Sequence, residues 1–236
     1  MVTLRVMFGM CGMFVLVAAG CGPIGDGSGP EITDLLPPAS KFKCSDLDGT
    51  ETACVDFNDG NKHGFSGEAG TWDVVDGRYL GWGPDDNPTT CADSLITHAI
   101  FPAVNAQDLT VHAQLASIKR VDKVLVLRSV DQGNRLQINF RARDAGGEYG
   151  DVMVQEVKDC VFSKFTNDGQ IPLDNELGDA LDVDVTLAGQ HITVVAGGKT
   201  LLDADEPITV QAGKVGVGVI DHSESMFDNF IVRDAH

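Results

Sequence analysis

Apolar and polar residues alternate with a period of two along most of the chain between residues 54 and 232. Val183 and Val185, for example, alternate with Asp182 and Asp184. Successive side chains of a β-strand point to opposite faces, so this pattern predicts strands with one buried face. The segments with the pattern are 55–58, 72–75, 78–80, 94–101, 108–116, 122–130, 134–142, 151–157, 181–187, 192–195, 199–202, 215–219 and 227–232.

Short turn signals separate these strands. Asp76-Gly77 and Gly197-Gly198 each lie between two predicted strands, and both dipeptides are typical of two-residue hairpin turns. No segment has a convincing helical periodicity. The sequence therefore predicts an all-β sandwich.

The N-terminus has the pattern of an export signal. Arg5 precedes an apolar run over residues 6–19, which is shorter than the about 20 residues that span a bilayer. Residues 16–21 (LVAAGC) resemble the lipobox of bacterial lipoproteins, which implies cleavage before Cys21 and lipid attachment to that cysteine. The alternative is an ordinary signal peptide with an incidental cysteine. Because Gly22 and not aspartate follows Cys21, we expect the outer membrane.

Three regions follow from this pattern. Residues 1–20 are the expected signal peptide, and residues 21–42 are the lipidated cysteine followed by a flexible Gly- and Pro-rich tether. Residues 43–236 are long enough for one domain. We expect the protein to contact the membrane only through its lipid anchor.

Four cysteines remain in the expected domain, at positions 44, 54, 91 and 160. Export leads to an oxidising compartment, and an even number of cysteines favours disulfides. Three pairings are possible, and we favour Cys44 with Cys54 and Cys91 with Cys160 because the first two are close in sequence. A four-cysteine zinc site is the alternative, but no C-x-x-C pair is present.

Several segments of the domain resemble concanavalin A-like jelly-roll domains of the laminin-G and bacterial glucanase kind. The similar segments, in chain order, are 57–60, 70–80, 181–185, 189–194, 198–203, 213–219 and 227–232. The resemblance covers about residues 54–233 and implies a two-sheet antiparallel jelly-roll sandwich. It also implies a ligand held on the concave face or at the loop rim. Hydrolases, lectins and adhesion modules all use this fold, so the resemblance alone does not fix the function.

The chain is strongly acidic. It has 35 Asp and Glu against 17 Lys and Arg, a formal net charge of −18. Such a surface repels phosphate backbones, so we expect no nucleic-acid partner.

The carboxylate pattern of retaining glycosidases of this fold is missing. Those enzymes place carboxylates two residues apart on one strand, because retention needs a separation of about 5 to 5.5 Å. The nearest pairs here are Glu148 with Asp151 and Glu156 with Asp159, each spaced by three, and we interpret them as solvated surface acids. Residues 152–159 resemble a strand of domains that process modified disaccharides, so a glycoside hydrolase stays an alternative.

Four residues are candidates for binding a ligand. Trp82 lies in the glycine-rich acidic segment 81–88 and could be a sugar platform, whereas Trp72 has the pattern of a core residue. Arg128, Arg141 and Arg143 lie on successive predicted strands and could line a polar groove.

Two metal sites are conceivable from the sequence. A hairpin over residues 94–116 would place His98 beside His112, although a third ligand is missing.

The second site follows from the resemblance, which implies that the first and last strands are neighbours. Asp56 and Asp59 would then lie near Asp228 and Asn229, where a structural calcium ion could bind. The alternative is that Asp228 only accepts hydrogen bonds from backbone amides.

The sequence thus favours a non-catalytic, membrane-anchored module that binds glycan or another envelope component. A carbohydrate-active hydrolase with a non-standard site and a purely structural envelope lipoprotein are the alternatives.

Overall fold

The computed structural model describes residues 36–38, 40–67, 70–83, 91, 96–165, 171–220 and 222–235. The predicted signal peptide, Cys21 and residues 21–35 of the predicted tether lie outside these residues. In the described part, a 3-10 turn over Cys44–Asp46 precedes sixteen strands. The strands are β1 (Ala53–Val55), β2 (Ser66–Gly67), β3 (Thr71–Val75), β4 (Arg78–Trp82), β5 (Ile96–Ala106), β6 (Leu109–Lys119), β7 (Asp122–Asp131), β8 (Asn134–Arg143), β9 (Tyr149–Lys158), β10 (Val161–Lys164), β11 (Ile171–Pro172), β12 (Leu181–Ala188), β13 (His191–Ala196), β14 (Lys199–Asp205), β15 (Gly213–Ile220) and β16 (Glu224–Asp234).

The strands form two antiparallel sheets of eight strands each. The first sheet has the order β14-β13-β12-β6-β16-β4-β3, with β1 paired to β16. The second sheet has the order β10-β9-β8-β7-β15-β5-β2, with β11 paired to β9. The predicted all-β, two-sheet antiparallel jelly-roll sandwich is confirmed.

The core lies between the inner faces of the two sheets. Strand β12 shows why the period-two pattern was informative: Val183, Val185 and Leu187 are fully buried, and Asp182 is exposed. At one end of the core, Trp72 packs on the backbone of Gly81, where an added Cβ would come within 2.3 Å of the indole ring. Trp72 is therefore a core residue, as its sequence pattern indicated.

The predicted hairpin of residues 94–116 is wrong. Strand β5 belongs to the second sheet and β6 to the first, so the chain crosses between the sheets at Gln107 and Asp108. His98 is opposite Gly218, while His112 is opposite Asp184, and the two histidines are not neighbours. A period-two pattern shows which residues face the core, but it does not show which strands pair.

The segment before β1 packs against the outer face of the first sheet. Leu36 contacts Ala116, Ile118 and Met226 on the side of the sheet that faces away from the core. We call residues 36–38 and 40–47 the N-terminal strap. Its first part belongs to the segment that was predicted to be tether, so some of that segment contacts the sandwich.

Two disulfides have the favoured pairing. Cys44, in the strap, is bonded to Cys54 on β1, and Cys91 is bonded to Cys160. Disulfides are typical of proteins that fold in an extracytoplasmic, oxidising compartment. In the described part of the chain, no helix has the length and apolar character needed to cross a membrane.

Candidate functional site

The outer face of the second sheet carries a group of polar side chains that is mostly buried. On β8 the polar positions alternate with Leu136, Ile138 and Phe140, which enter the core. We call the following residues the polar face: Asp122, Arg135, Gln137, Asn139, Arg141, Asp151 and Gln155. Five of them are buried, namely Arg135, Gln137, Asn139, Asp151 and Gln155. Polar side chains are seldom buried so completely without a structural or functional reason.

Hydrogen bonds across three strands hold these side chains in place. Arg135 Nε donates to Gln137 Oε1 at 2.8 Å, and Gln137 Nε2 donates to Gln155 Oε1 at 2.9 Å. Arg141 binds both carboxylate oxygens of Asp151, with Nε at 2.6 Å and Nη2 at 2.5 Å. Bidentate pairs of this kind fix the orientation of both partners.

Among the residues of the polar face, all of which are described, Asn139 has a buried side-chain atom without a hydrogen-bond partner. Its Nδ2 donates to Asp122 Oδ1 at 2.6 Å, but its buried Oδ1 has no hydrogen-bond partner. Burial raises the pKa of Asp122, and the hydrogen bond from Asn139 and the charge of Arg141 oppose this effect. The site therefore contains an acceptor without a donor beside a carboxylate that is poorly solvated.

A groove runs over this face. Its first depression has a volume of about 400 Å³ and is lined by residues that include Gln137, Asn139, Arg141, Gln155 and Phe162. A second depression of about 510 Å³ shares Asp122, Arg141 and Ile220 with the first and extends to Tyr149. A third, of about 410 Å³, shares Asp144 with the second and ends at Arg143 and Glu176. We call the three together the groove.

Tyr149 is an unusual residue in the groove. Its side chain is 51% exposed, and Arg141 lies over its ring at 4.8 Å from the centroid. Its φ of 66° lies in the left-handed region, which is uncommon for a residue with a bulky side chain. Backbone strain of this kind concentrates at binding and active sites.

The structure separates the three arginines that were predicted to line a groove. Arg141 is central to the polar face, and Arg143 lies at the end of the groove with an ion pair to Asp174 at 3.1 Å. Asp122 on β7 is opposite Arg141, and Arg128 lies six residues further along the same strand. Arg128 is therefore about 20 Å from the position of Arg141.

Arg128 has a structural role. Its side chain is buried, and its guanidinium donates to the backbone oxygens of Gln107, Gly189 and Val210. The prediction that it lines a groove with the other two arginines is wrong, because it ties together three loops at the opposite end of the sheet.

Trp82 also lies away from the groove. It ends β4 in the first sheet, opposite Thr71 and Glu224, and is partly exposed. Most of the loop in which it was predicted to be a platform, residues 84–88, lies outside the described residues. Its proposed role as a ligand platform stays a prediction.

The interpretation of the candidate carboxylates as solvated surface acids needs correction for two of them. Asp151 is buried in the bidentate pair with Arg141, and Glu156 is buried and accepts the backbone amides of Thr209 and Val210 at 2.6 and 2.7 Å. Glu148 is exposed, as interpreted. Asp151 lies on an outer face that is itself covered, whereas Glu156 lies on the inner face, opposite Leu136.

The expected calcium position can be tested against the residues present. Strands β1 and β16 do pair, and Asp56 is close enough to Asp228 to influence its ionisation. However, Asp228 Oδ1 accepts the amide of Asn229 at 2.8 Å, and Asp56 accepts the amides of Cys44 and Asn58.

Asp59 is engaged elsewhere, with the amide of Asn61 and the ring of His63. The described residues contain no group of three His, Cys, Asp or Glu side chains placed to hold a metal ion. Calcium needs six to eight oxygen ligands, and the carboxylates here already accept N–H donors. As arranged, these residues do not fit a calcium ion.

The two eight-stranded antiparallel sheets, with the first strand β1 paired to the last strand β16, have a concanavalin A-like jelly-roll fold. Solved structures of this kind are similar to the chain. The carbohydrate binding module CBM66 from Bacillus subtilis is 16% identical with a TM-score of 0.58, covering 74% of this chain and 98% of that one. A protein of unknown function with a galectin-like fold, also from Bacillus subtilis, is 10% identical with a TM-score of 0.59, covering 80% and 97%.

Domain 4 of AbnA, a GH43 extracellular arabinanase from Geobacillus stearothermophilus solved in complex with arabinotriose, is 12% identical with a TM-score of 0.53. The match covers 79% of this chain and 93% of that domain. At these identities the likeness establishes the fold. No protein-family model and no curated protein matches the sequence.

Proposed function

We propose that the protein is a non-catalytic glycan-binding module and that the groove over the polar face is its binding site. The observation that carries the proposal is a groove over a set of fixed, mostly buried polar side chains, with an aromatic side chain towards each end. Asn139, one of its lining residues, has a buried Oδ1 without a donor, which is costly, and a ligand hydroxyl that reaches this atom after a small side-chain movement would supply the missing hydrogen bond.

Sugar hydroxyl groups have the complementary chemistry. Each hydroxyl can donate one hydrogen bond and accept others, so it can donate to Asn139 Oδ1 while accepting from a neighbouring amide. Arg141 lies over one face of the Tyr149 ring and Arg135 over one face of the Phe162 ring, so each ring offers its other face or its edge to the apolar face of a sugar ring. Because the hydrogen bonds within the polar face already fix most of its side chains, little conformational entropy is lost when a ligand binds.

The similar structures support this choice of ligand. One is a carbohydrate binding module, and another is a domain of an arabinanase that was solved with arabinotriose bound. We extend their carbohydrate binding to this chain as a proposal, since sequence identity is low.

A glycoside hydrolase is the second candidate, and one observation favours it. Asp122 and Asp151 flank Arg141 on three adjacent strands, which places their backbones about 10 Å apart. Two carboxylates in different environments are the usual pair of an inverting glycosidase. The position of Arg141 opposes this function, because it lies between the two acids and engages both oxygens of Asp151.

We also propose that the module is held at the cell envelope by lipid on Cys21, most consistently at the outer membrane. The two disulfides support an extracytoplasmic location, and the anchor itself rests on the sequence.

A glycan array, probed with the whole protein in detergent, tests the proposed function. We expect binding to at least one glycan, and we expect Tyr149→Ala to weaken it about tenfold. Because Tyr149 is half exposed, this change should leave the melting temperature nearly unchanged. Trp82→Ala is the matched control, since Trp82 is an aromatic residue on the other sheet.

Each contrary outcome of this experiment has a definite meaning. Loss of binding in Trp82→Ala but not in Tyr149→Ala would move the site to the first sheet. Absence of binding to every glycan would contradict the proposal and favour a purely structural lipoprotein.

A further inference from the structure

The groove is much longer than one sugar. Phe162, near one end, is opposite Val157 on β9, while Tyr149 is eight residues away at the start of the same strand. At about 3.3 Å per residue, the two aromatic side chains mark a length of about 26 Å along β8 and β9. The three depressions follow one another along this direction, and each shares lining residues with the next.

The charged side chains along the groove are mostly paired with one another. Arg141 is bound to Asp151 at 2.5 Å, and Arg143 is bound to Asp174 at 3.1 Å. Asp122 receives a hydrogen bond from Asn139, and its burial disfavours the charged form. Lys164 and Arg120 add two exposed cations to the lining, and Asp144 and Glu176 add two anions.

The rest of the molecule opposes anionic ligands. The formal net charge of −18 creates a field that repels uronate- or phosphate-containing polymers over distances up to about 10 Å at moderate salt. The two exposed cations, which are matched by two anions in the same lining, do not reverse the sign of that field. An uncharged ligand avoids both this repulsion and the cost of breaking the internal ion pairs.

We infer that the groove binds an uncharged oligosaccharide chain that lies along β8 and β9 and contacts both Phe162 and Tyr149, and that it does not recognise a single terminal sugar. This inference rests on the proposed glycan-binding function. Hydrogen bonds to Asn139 and its polar neighbours on β8 and β9 fix the register of the chain, and the two aromatic side chains add contacts that only a longer ligand can make.

Chain-length dependence of affinity tests the inference. Isothermal titration calorimetry with the whole protein in detergent should use linear arabino-, xylo- and fructo-oligosaccharides of one to six units. A hexamer of galacturonic acid serves as the anionic probe. We expect one neutral series to bind, with an affinity at least about tenfold higher for the hexamer than for the monomer.

Variants at the two ends sharpen the test. Phe162→Ala and Tyr149→Ala should each weaken hexamer binding about fivefold to tenfold, while each should leave the affinity for dimers much less changed. Val161→Ala is the control, because Val161 is an exposed neighbour of Phe162 whose side chain points to the other face of β10.

The possible failures are distinguishable. Equal affinity for monomer and hexamer would overturn the extended-chain inference and leave glycan binding intact. Tighter binding of the galacturonate hexamer than of the neutral hexamers would overturn the inference that the ligand is uncharged. Absence of binding to all probes here and to every glycan on the array would contradict the proposed function itself.

Discussion

Asp228 is a buried carboxyl group whose replacement should change the pH dependence of stability in the acidic range. It lies on β16 and is only 1% exposed. Its carboxylate accepts the backbone amides of Asn229 and of Ser40 in the N-terminal strap. Burial raises its pKa to about 6, and nearby Asp56 acts in the same direction, while the two amides and Arg78 oppose the shift.

The sign and size of the effect follow from linkage. In the unfolded chain the pKa of this carboxyl is near 3.8, so between about pH 4 and pH 6 the folded protein binds a proton that the unfolded chain has lost. The free energy of unfolding therefore falls as the pH rises through this window. A pKa difference of about two units corresponds to a loss of about 3 kcal/mol, complete above about pH 7.

The variant Asp228→Asn keeps an oxygen acceptor but does not ionise. As the pH rises from 4 to 7.5, the free energy of unfolding of Asp228→Asn should therefore gain about 3 kcal/mol relative to that of the wild type. Urea denaturation of the whole protein at several pH values measures this difference, and Asp182→Asn is the control at an exposed site. If the stability difference between Asp228→Asn and wild type is constant across this range, Asp228 is already ionised in the folded protein at low pH and the reasoning is wrong.

Three further predictions follow from the anchor, the metal site and the groove. Cys21→Ser should release the protein from membranes while the domain melts normally; a variant that still sediments with membranes after a high-salt wash would contradict lipidation. Melting curves in calcium and in EDTA should coincide, because the acids near Asp228 already accept amides; a calcium-dependent rise of several degrees that Asp228→Ala removes would show a site. Common β-glucans should not be hydrolysed, and turnover that Asp122→Asn abolishes would instead identify an enzyme.

The fold class was predictable because the alternation of apolar and polar residues in the sequence matches the observed burial on most strands. Val183, Val185 and Leu187 show this agreement on β12. The pairing of the strands was less predictable. A hairpin with its turn around Asn105 was expected, yet the junction at Gln107 and Asp108 sends β6 into the other sheet. Local patterns do not contain the long-range contacts that decide between a hairpin and a crossover.

The sequence analysis did not predict most residues of the candidate site, for a related reason. Gln137, Asn139 and Gln155 occupy positions that a strand pattern assigns to solvent. Of the polar face, only Arg141 was predicted to bind a ligand, and Asp151 was interpreted as a surface acid. One signal was available in the sequence. In so acidic a chain, amides at three outward positions of β8 and β9 are notable, because solvated faces are usually occupied by charged residues.

The positions of the strap and the groove bear on how an anchored protein could present its site. The strap covers the outer face of the first sheet, where Leu36 packs on Met226. The groove lies on the outer face of the second sheet, beyond a core about 10 Å thick. Because the chain enters the sandwich on the face opposite to the groove, the strap does not compete with a ligand. Attachment through the N-terminus is therefore compatible with binding of a long glycan across β8 and β9.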